Sequence, residues 1–155
     1  QPIINTSYDK DMRLTIAGIG INNIRVAANV ESYDEDVYNL ELKNGLAHFQ
    51  GTPLPGDGGN SFIYGHSSVP NFFANNQNLP EIVFSKLNSV DIGAEVIINK
   101  DGKDIKYIVR KKKIIEATDF SVLQSEGDKE TVTMMTCWPL GIPSKRLIVV
   151  AERYE

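Results

Sequence analysis

The stretch AEVIINKDGKDIKYIVRKKKIIEA, residues 94–117, decides the class of fold. Two runs rich in Ile and Val flank the sequence Lys100-Asp101-Gly102-Lys103. Asp-Gly between alternating apolar runs is the strongest short-range signal for a β-hairpin with a two-residue turn. The segment therefore predicts two antiparallel strands joined at Asp101 and Gly102.

Further short strands are predicted on both sides of this hairpin, because β-branched residues are enriched in short runs separated by Gly and Pro. These runs are RLTIAGIGI (13–21), IRVAANV (24–30), SFIYGH (61–66), TVTMMTC (131–137) and RLIVVAERY (146–154). The last two flank the loop WPLGIPSK (138–145). The sequence thus contains seven or eight short strands.

Two or three short helices are predicted between the strands. YDEDVYNLELKN (33–44) begins with acidic residues and is followed by Gly45, as is typical of helix ends. Another helical pattern surrounds Phe84, within 70–90. Because no alternation of strands and helices is apparent, we predict an all-β fold, a closed or nearly closed β-barrel with helical insertions. Residues 1–12 are predicted to be an N-terminal tail, and residues 13–155 a single domain.

Composition limits the classes of function. The chain has 155 residues, 41% of them hydrophobic and 23% charged, which is typical of one globular domain. Lys and Arg number 16 and Asp and Glu 20, so the net charge of −4 disfavours nucleic-acid binding, although a local basic run spans 110–113. The single cysteine excludes an internal disulfide and a multi-cysteine metal site. No run approaches the roughly 18 apolar residues of a membrane-spanning helix.

Cys137 and the two histidines are the first candidates for chemistry. Cys137 ends a predicted strand beside a loop, where a side chain becomes accessible to a ligand. A free cysteine is also commonly a buried, inert thiol. His66 ends the strand SFIYGH and His48 lies in LAHFQG. Either histidine could be structural or could carry protons, and spacing alone does not choose between them.

Arg146 is the third candidate. It begins an apolar strand and could be a solvated strand end. It could instead hold a carbonyl oxygen that gains negative charge during a reaction, because a guanidinium is permanently charged and has several donors. Strand alternation places Arg146 and Arg153 on opposite faces, so at most one of them faces such a site. A thiol, an imidazole and a guanidinium together are the components of thiol acyl transfer.

Two segments resemble those of the sortases, which are cell-surface cysteine transpeptidases of bacteria. TVTMMTCWPLGIPSKRLIVVAE (131–152) is similar to the family pattern of a strand ending in Thr-Cys, a variable loop, and Arg before an apolar strand. GTPLPGDGGNSFIYGHSS (51–68) is similar to the Pro- and Gly-rich run that ends in Gly-His. The resemblance extends over roughly 14–152. It implies a closed eight-stranded sortase-type β-barrel with short helices.

The resemblance also implies roles for individual residues. Carried over by position, Cys137 is the nucleophile, His66 carries the proton, and Arg146 steadies the substrate carbonyl and its oxyanion. His48 falls at a histidine position that is structural in the family. The resemblance further implies that Thr136 borders the substrate groove and that the backbone N–H of Trp138 adds an oxyanion donor.

The activity implied is cleavage of a sorting motif similar to Leu-Pro-x-Thr-Gly between Thr and Gly. A thioester with Cys137 would form and then be resolved by an amine from a peptidoglycan precursor or a pilin lysine. The partners are then a surface protein that carries the motif and this amine acceptor. The chain is expected to be a monomer that acts outside the plasma membrane, tethered by an N-terminal hydrophobic segment that lies outside these 155 residues.

Three further expectations complete the interpretation. Some sortases use calcium, but the acidic residues at 34–36 are interpreted as the start of a helix, so we expect no metal and no cofactor. One alternative function is a thiol peptidase that hydrolyses without transfer. Another is a non-catalytic β-barrel that binds a surface partner and keeps Cys137 buried.

Overall fold

Eight strands form a closed barrel in a computed structural model that describes residues 8–125 and 127–154. The strands are β1 (Asp11–Ile16), β2 (Ile21–Val30), β3 (Leu46–Phe49), β4 (Asn60–Tyr64), β5 (Glu95–Lys100), β6 (Lys103–Glu116), β7 (Thr131–Trp138) and β8 (Lys145–Arg153). The predicted all-β barrel is therefore confirmed.

Five short helical segments lie between the strands in the part of the chain that the structure describes. The α-helices are α1 (Glu35–Leu42) and α2 (Pro70–Asn75), and the 3₁₀ helices are Ala17–Ile19, Pro80–Ser89 and Ser121–Leu123. The side chain of Asp34 caps α1 by accepting a hydrogen bond from the backbone N–H of Asp36 at 3.0 Å. The helix predicted within 33–44 is thus confirmed, with its acidic first turn.

The strand order around the barrel is β1-β2-β3-β4-β7-β8-β6-β5, and β5 pairs with β1 to close it. Two neighbouring pairs are parallel, β2 with β3 and β4 with β7, and the other pairs are antiparallel. The sequence interpretation found no alternation of strands and helices, yet β2, α1 and β3 form one such parallel unit. The signal was missed because β3 has only four residues, LAHF, and was interpreted as a connection.

The hairpin of β5 and β6 forms as predicted. Lys100 pairs with Lys103, and the two turn residues Asp101 and Gly102 have φ values of 55° and 79°. This left-handed pair suits the twist of antiparallel strands. At the other end of the chain, β1 begins at Asp11, so Asp11 and Met12 belong to the barrel rather than to the predicted tail. Residues 1–7 of that tail lie outside the described residues.

Apolar side chains form two clusters on opposite sides of the sheet. The larger fills the barrel, and the 3₁₀ helix Pro80–Ser89 adds Val83, Phe84 and Leu87 to it. The smaller lies on the outer face of the barrel and includes Leu42 of α1, Phe62 and Tyr64 of β4. The helix α1 packs against β2 and β3, and Tyr38 of α1 makes an edge-to-face contact with Tyr64 at the C-terminal end of β4.

Candidate active site

Three adjacent strands bring Cys137, His66 and Arg146 together. In the parallel pair, Ser61 of β4 pairs with Val132 and Tyr64 pairs with Met135 of β7. The same offset continued by two residues places His66 beside Cys137. On the other side of β7, Cys137 is the direct partner of Arg146 in β8. The three residues therefore occupy neighbouring positions in one row across the sheet.

Strand alternation places the side chains of Cys137 and Arg146 on the outer face, and His66, just after β4, lines the same outer cleft. Met135, two residues before Cys137, packs in the outer cluster, as does Ile148, two residues after Arg146. Trp138 has the opposite parity, and its half-buried side chain packs against the core inside the barrel. Its side chain is thus directed away from the outer face, and the oxyanion role expected for its backbone N–H stays a prediction.

The outer face carries a cleft of about 400 Å³ that contains all three candidates. Its lining includes His66, Thr136, Cys137 and Arg146, with aromatic and aliphatic side chains opposite them. Cys137 is half-buried, so its thiol is not sealed in the core. A neighbouring hollow of about 390 Å³ continues the cleft and shares Phe49 and Phe120 with it. An extended peptide could occupy this groove.

A second, smaller cleft meets the first at the candidate residues. It measures about 260 Å³ and is lined by His66 and Cys137 together with residues 67–69 and parts of the β7–β8 loop. Arg146 lines only the larger cleft. Cys137 and His66 therefore line both clefts, and the larger cleft also contains the permanently charged guanidinium of Arg146.

The imidazole of His66 is held by α1. Its Nε2 lies 3.1 Å from Oδ1 of Asn39, and the ring is partly buried. Burial lowers the pKa of His66 below its usual 6.5, and the charge of Glu81 opposes this only in part. His66 is consequently neutral in most molecules at neutral pH, which is the form that can accept a proton.

The guanidinium of Arg146 is anchored by backbone oxygens of its own loop. Nη1 donates to the carbonyl of Lys145 at 2.9 Å and to that of Pro143 at 3.2 Å. Among the described residues, Nε and Nη2 of Arg146 have no hydrogen-bond partner. The side chain can thus present the three N–H groups of Nε and Nη2 to a carbonyl oxygen in the cleft.

Thr136 and Ser67 hold the ends of β4 and β7 together. The Thr136 hydroxyl, which is fully buried, donates to the carbonyl of Gly65 at 2.9 Å. The Ser67 hydroxyl donates to the carbonyl of Cys137 at 3.1 Å. These bonds flank His66 and fix its backbone relative to the sulfur. Thr136 lines the larger cleft, and its hydroxyl is engaged by the backbone. That this cleft is a substrate groove stays a prediction.

His48 has a structural environment. It is fully buried in β3, and its Nδ1 accepts a hydrogen bond from the backbone N–H of Asn29 at 3.1 Å. Nε2 therefore carries the proton and donates to the carbonyl of Pro53 at 2.9 Å. Burial lowers the pKa of His48 to about 4. It lies outside both clefts that contain Cys137.

Sequence reasoning missed two residues of α1 that line the cleft, Tyr38 and Asn39. Burial raises the pKa of Tyr38, and the charges of Arg146 and Cys137 act on it in opposite directions. Asn39 contacts His66 directly. The helix itself was predicted, but the side that it turns to the cleft depends on how α1 packs against β2 and β3, which no local pattern encodes.

Two negative findings apply to residues 8–125 and 127–154. No group of three or more His, Cys, Asp or Glu side chains there is arranged to hold a metal ion. No helix there combines the length and apolar character needed to cross a membrane.

Solved structures share the fold. Sortase A of Corynebacterium diphtheriae, in a lid-mutant form, superposes with a TM-score of 0.75 over 96% of this chain and 73% of that chain, at 24% identity. A sortase D5 transpeptidase of Clostridium perfringens gives 0.73 over 96% of this chain and 83% of that chain, also at 24% identity. A Clostridium perfringens sortase C, solved with a C-terminal cell wall sorting motif, gives 0.72 over 96% and 73%, at 26% identity.

Sequence comparison agrees with the structural likeness. Sortase D of Bacillus subtilis is 24% identical over 127 residues, which are 80% of this chain and 56% of that protein. The chain thus spans little more than half the length of this relative. A putative sortase of Bacillus subtilis, YwpE, is 32% identical over 71 residues, 46% of this chain and 69% of that protein. The sequence model of the Sortase domain matches residues 14–154, nearly the whole chain, and the chain therefore belongs to the sortase family.

Proposed function

We propose that this domain is a cysteine transpeptidase that cleaves a sorting motif similar to Leu-Pro-x-Thr-Gly between Thr and Gly. The acyl group passes through a thioester on Cys137 to an amine, which anchors a surface protein. The single observation that carries the proposal is that His66, just after β4, meets Cys137 of β7 and its strand partner Arg146 of β8 at one cleft open to solvent.

The first half of the reaction forms the thioester. His66 takes the proton of the Cys137 thiol, and the sulfur bonds to the carbonyl carbon of the motif threonine. Arg146 donates hydrogen bonds to the carbonyl oxygen as it becomes negative. When the intermediate collapses, the Thr–Gly bond breaks, and the imidazolium of His66 gives its proton to the departing glycine nitrogen.

The second half repeats these steps with an amine as the nucleophile. The nitrogen of the amine bonds to the thioester carbon while His66 accepts a proton from that amine. Arg146 again donates hydrogen bonds to the oxyanion. Collapse breaks the C–S bond and leaves an amide, and His66 returns its proton to the sulfur of Cys137. The donor peptide is assigned to the larger cleft because only that cleft contains Arg146. The acceptor is a peptidoglycan-precursor amine or a pilin lysine.

The remaining parts of the proposal concern the setting of the enzyme. The sortases act at the bacterial cell surface, and we place this domain outside the plasma membrane, tethered by an N-terminal hydrophobic segment. It works as a monomer. It needs no cofactor, because one thiol, one imidazole and one guanidinium supply every proton transfer and charge that the steps above require. Activity is accordingly expected to be the same with EDTA and with added Ca²⁺.

A peptide screen tests the proposal. Sorting-motif peptides are mixed with the purified chain in the presence and absence of triglycine, and the products are identified by mass. We expect a ligated product that ends in Thr-Gly-Gly-Gly and disappears in Cys137→Ala. Cleavage whose rate and products ignore triglycine would favour a thiol peptidase instead. Absence of any Cys137-dependent product across the screen would favour a binding module.

A further inference from the structure

The hydrogen bond between α1 and His66 indicates a fourth member of the active site. We propose that Asn39 is a positioning residue, whose side-chain oxygen holds His66 as the Nε2–H tautomer and so assigns proton transfer to Nδ1. The inference rests on the proposed function, since it concerns how His66 carries a proton between sulfur and amine.

Geometry carries this assignment. Nε2 of His66 lies 3.1 Å from Oδ1 of Asn39, a normal hydrogen-bond distance. An amide oxygen only accepts, so the proton of the neutral ring must be on Nε2. Among the described residues, Nδ1 of His66 has no hydrogen-bond partner. Its lone pair is therefore the one that remains available to receive a proton.

The chemistry of the pair matches its position. A base that carries a proton between two partners must be held in one orientation, because a rotated ring presents the wrong nitrogen. In Cys-His-Asn constellations a side-chain amide plays this part. Here Asn39 lines the same cleft as Cys137 and Arg146, so the group that orients the imidazole belongs to the wall that the donor peptide contacts.

The helix that carries Asn39 is itself fixed to the barrel. Arg25 of β2 donates from Nη2 to Glu41 of α1 at 3.0 Å and from Nε to Asp11 of β1 at 2.8 Å. Leu42, at the end of α1, is buried in the outer cluster. Asn39 therefore lies on a helix that an ion pair and a buried side chain hold against the barrel, rather than on a free loop.

The charge of Glu81, on the 3₁₀ helix Pro80–Ser89, acts on the titration of His66. Other titratable or charged side chains line the larger cleft with the ring: Glu35 and Tyr38 on α1, Tyr64 on β4, Cys137 on β7 and Arg146 on β8. Asn39 is uncharged, so replacing it with residues of similar size changes the hydrogen bond without altering any of these. Asn39→Leu removes the acceptor, and Asn39→Asp keeps an acceptor and adds a negative charge.

Nitrogen-15 NMR of the imidazoles tests the tautomer directly. The chain has only two histidines, so the His66→Gln variant assigns both sets of signals. We expect the Nε2–H form of His66 to predominate in the wild type above pH 8, and a larger Nδ1–H fraction in Asn39→Leu. The pKa of His66 should be highest in Asn39→Asp, intermediate in the wild type and lowest in Asn39→Leu. A predominant Nδ1–H form in the wild type would overturn the inference.

Peptide cleavage provides the second readout. With the best peptide of the screen, Asn39→Leu should lower kcat by about tenfold or more and change KM less than twofold, and Asn39→Asp should retain more activity. Leu40→Ala is the matched control, since Leu40 is an exposed neighbour on α1 and should leave kcat unchanged. Unchanged kcat in Asn39→Leu would refute a positioning role. Failure of the wild type to cleave any peptide would refute the proposed function, whereas the NMR result would still decide how Asn39 acts on His66.

Discussion

Arg146 shows how much depends on the chemistry of one side chain. Its Nη1 is already engaged by two carbonyl oxygens, so only a group with several donors can remain anchored and also reach a substrate. Lysine has the same charge, but it donates from one nitrogen instead of three nitrogens in a rigid plane.

Arg146→Lys is therefore expected to lower kcat/KM for the sorting peptide by about 100-fold, equal to roughly 3 kcal/mol of transition-state stabilisation. His66→Ala and Cys137→Ala should nearly abolish turnover. The measurement is peptide cleavage at several concentrations, with thermal melting to verify that each variant is folded. If Arg146→Lys matched the wild type, the guanidinium would not be the oxyanion donor.

His48 should control stability rather than activity. In the folded chain its pKa is about 4, against 6.5 in an unfolded chain, because burial penalises the charged ring. The unfolded state binds the extra proton, so the stabilisation is complete above pH 6.5 and is lost as pH falls toward 4. The free energy of unfolding should drop by about 3 kcal/mol across this window.

Urea unfolding between pH 4 and 7.5 measures this loss, and His66→Gln is the comparison that removes the smaller contribution of the other imidazole. The decrease in the free energy of unfolding with falling pH should persist in His66→Gln and should be much smaller in His48→Gln. A decrease that disappears in His66→Gln instead would mean that the buried histidine of β3 does not titrate as described.

At the scale of elements, the sequence predicted those that local signals define. The hairpin of β5 and β6 follows from Asp101-Gly102, and α1 from its acidic first turn and Asp34 cap. The element β3 was missed because four residues between a helix and a loop have no periodicity to detect. β3 pairs in parallel with β2, and the two strands are connected through α1 rather than by a hairpin turn.

Gly65 links the end of β4 to the position of His66. A Cβ added there would lie 2.4 Å from Cδ2 of Leu46 and 3.3 Å from Cδ2 of Phe84, and both neighbours are fully buried. Gly65→Ala should therefore cost about 2 kcal/mol of stability and lower turnover, because the end of β4 must shift.

Gly18→Ala is the control for this substitution, since its added Cβ would meet nothing within 4 Å. Chemical unfolding and peptide cleavage are compared for both variants. Full stability and full turnover in Gly65→Ala would show that the strand end tolerates displacement and that His66 does not depend on it.

Glu130 ties the Pro- and Gly-rich segment of 51–59 to the barrel. Its carboxylate accepts hydrogen bonds from the backbone N–H groups of Gly56 and Gly58, the hydroxyl of Tyr107 and Nη1 of Arg153. Burial would raise the pKa of Glu130, but these donors outweigh it and lower that pKa below 4.5. The stabilisation is thus present above about pH 4.5 and lost as pH falls through the lower folded value.

Glu130→Gln should reduce the free energy of unfolding at pH 7 by about 2 kcal/mol, because an amide presents a donor where only acceptors are needed. Urea unfolding at pH 7 and pH 3 tests this, and the difference between variant and wild type should shrink at the lower pH. An equal difference at both values would show that the charge of Glu130 is not what holds the segment.

At the scale of the whole molecule, the site exists only because the barrel closes. His66 and Cys137 become neighbours through a parallel pairing of β4 with β7, and no hairpin or short loop specifies that pairing. The residue types could therefore be chosen from the sequence and its resemblance to sortases, whereas the row they form, the two clefts and the contact with Asn39 required the fold. The fold was also needed to show that the side chain of Trp138 points to the inner face of the barrel, opposite to that of Cys137.

The central claim is that one sulfur, aided by His66 and Arg146, holds an acyl group. Intact-mass spectrometry of the chain, quenched in acid after mixing with a sorting-motif peptide in the absence of an amine, tests it most directly. We expect a species heavier by the mass of the peptide fragment that ends at its threonine, attached at Cys137. This species should disappear when triglycine is added and should not form in Cys137→Ala. Cleavage of the peptide by Cys137→Ala at the wild-type rate would show that Cys137 is not the nucleophile.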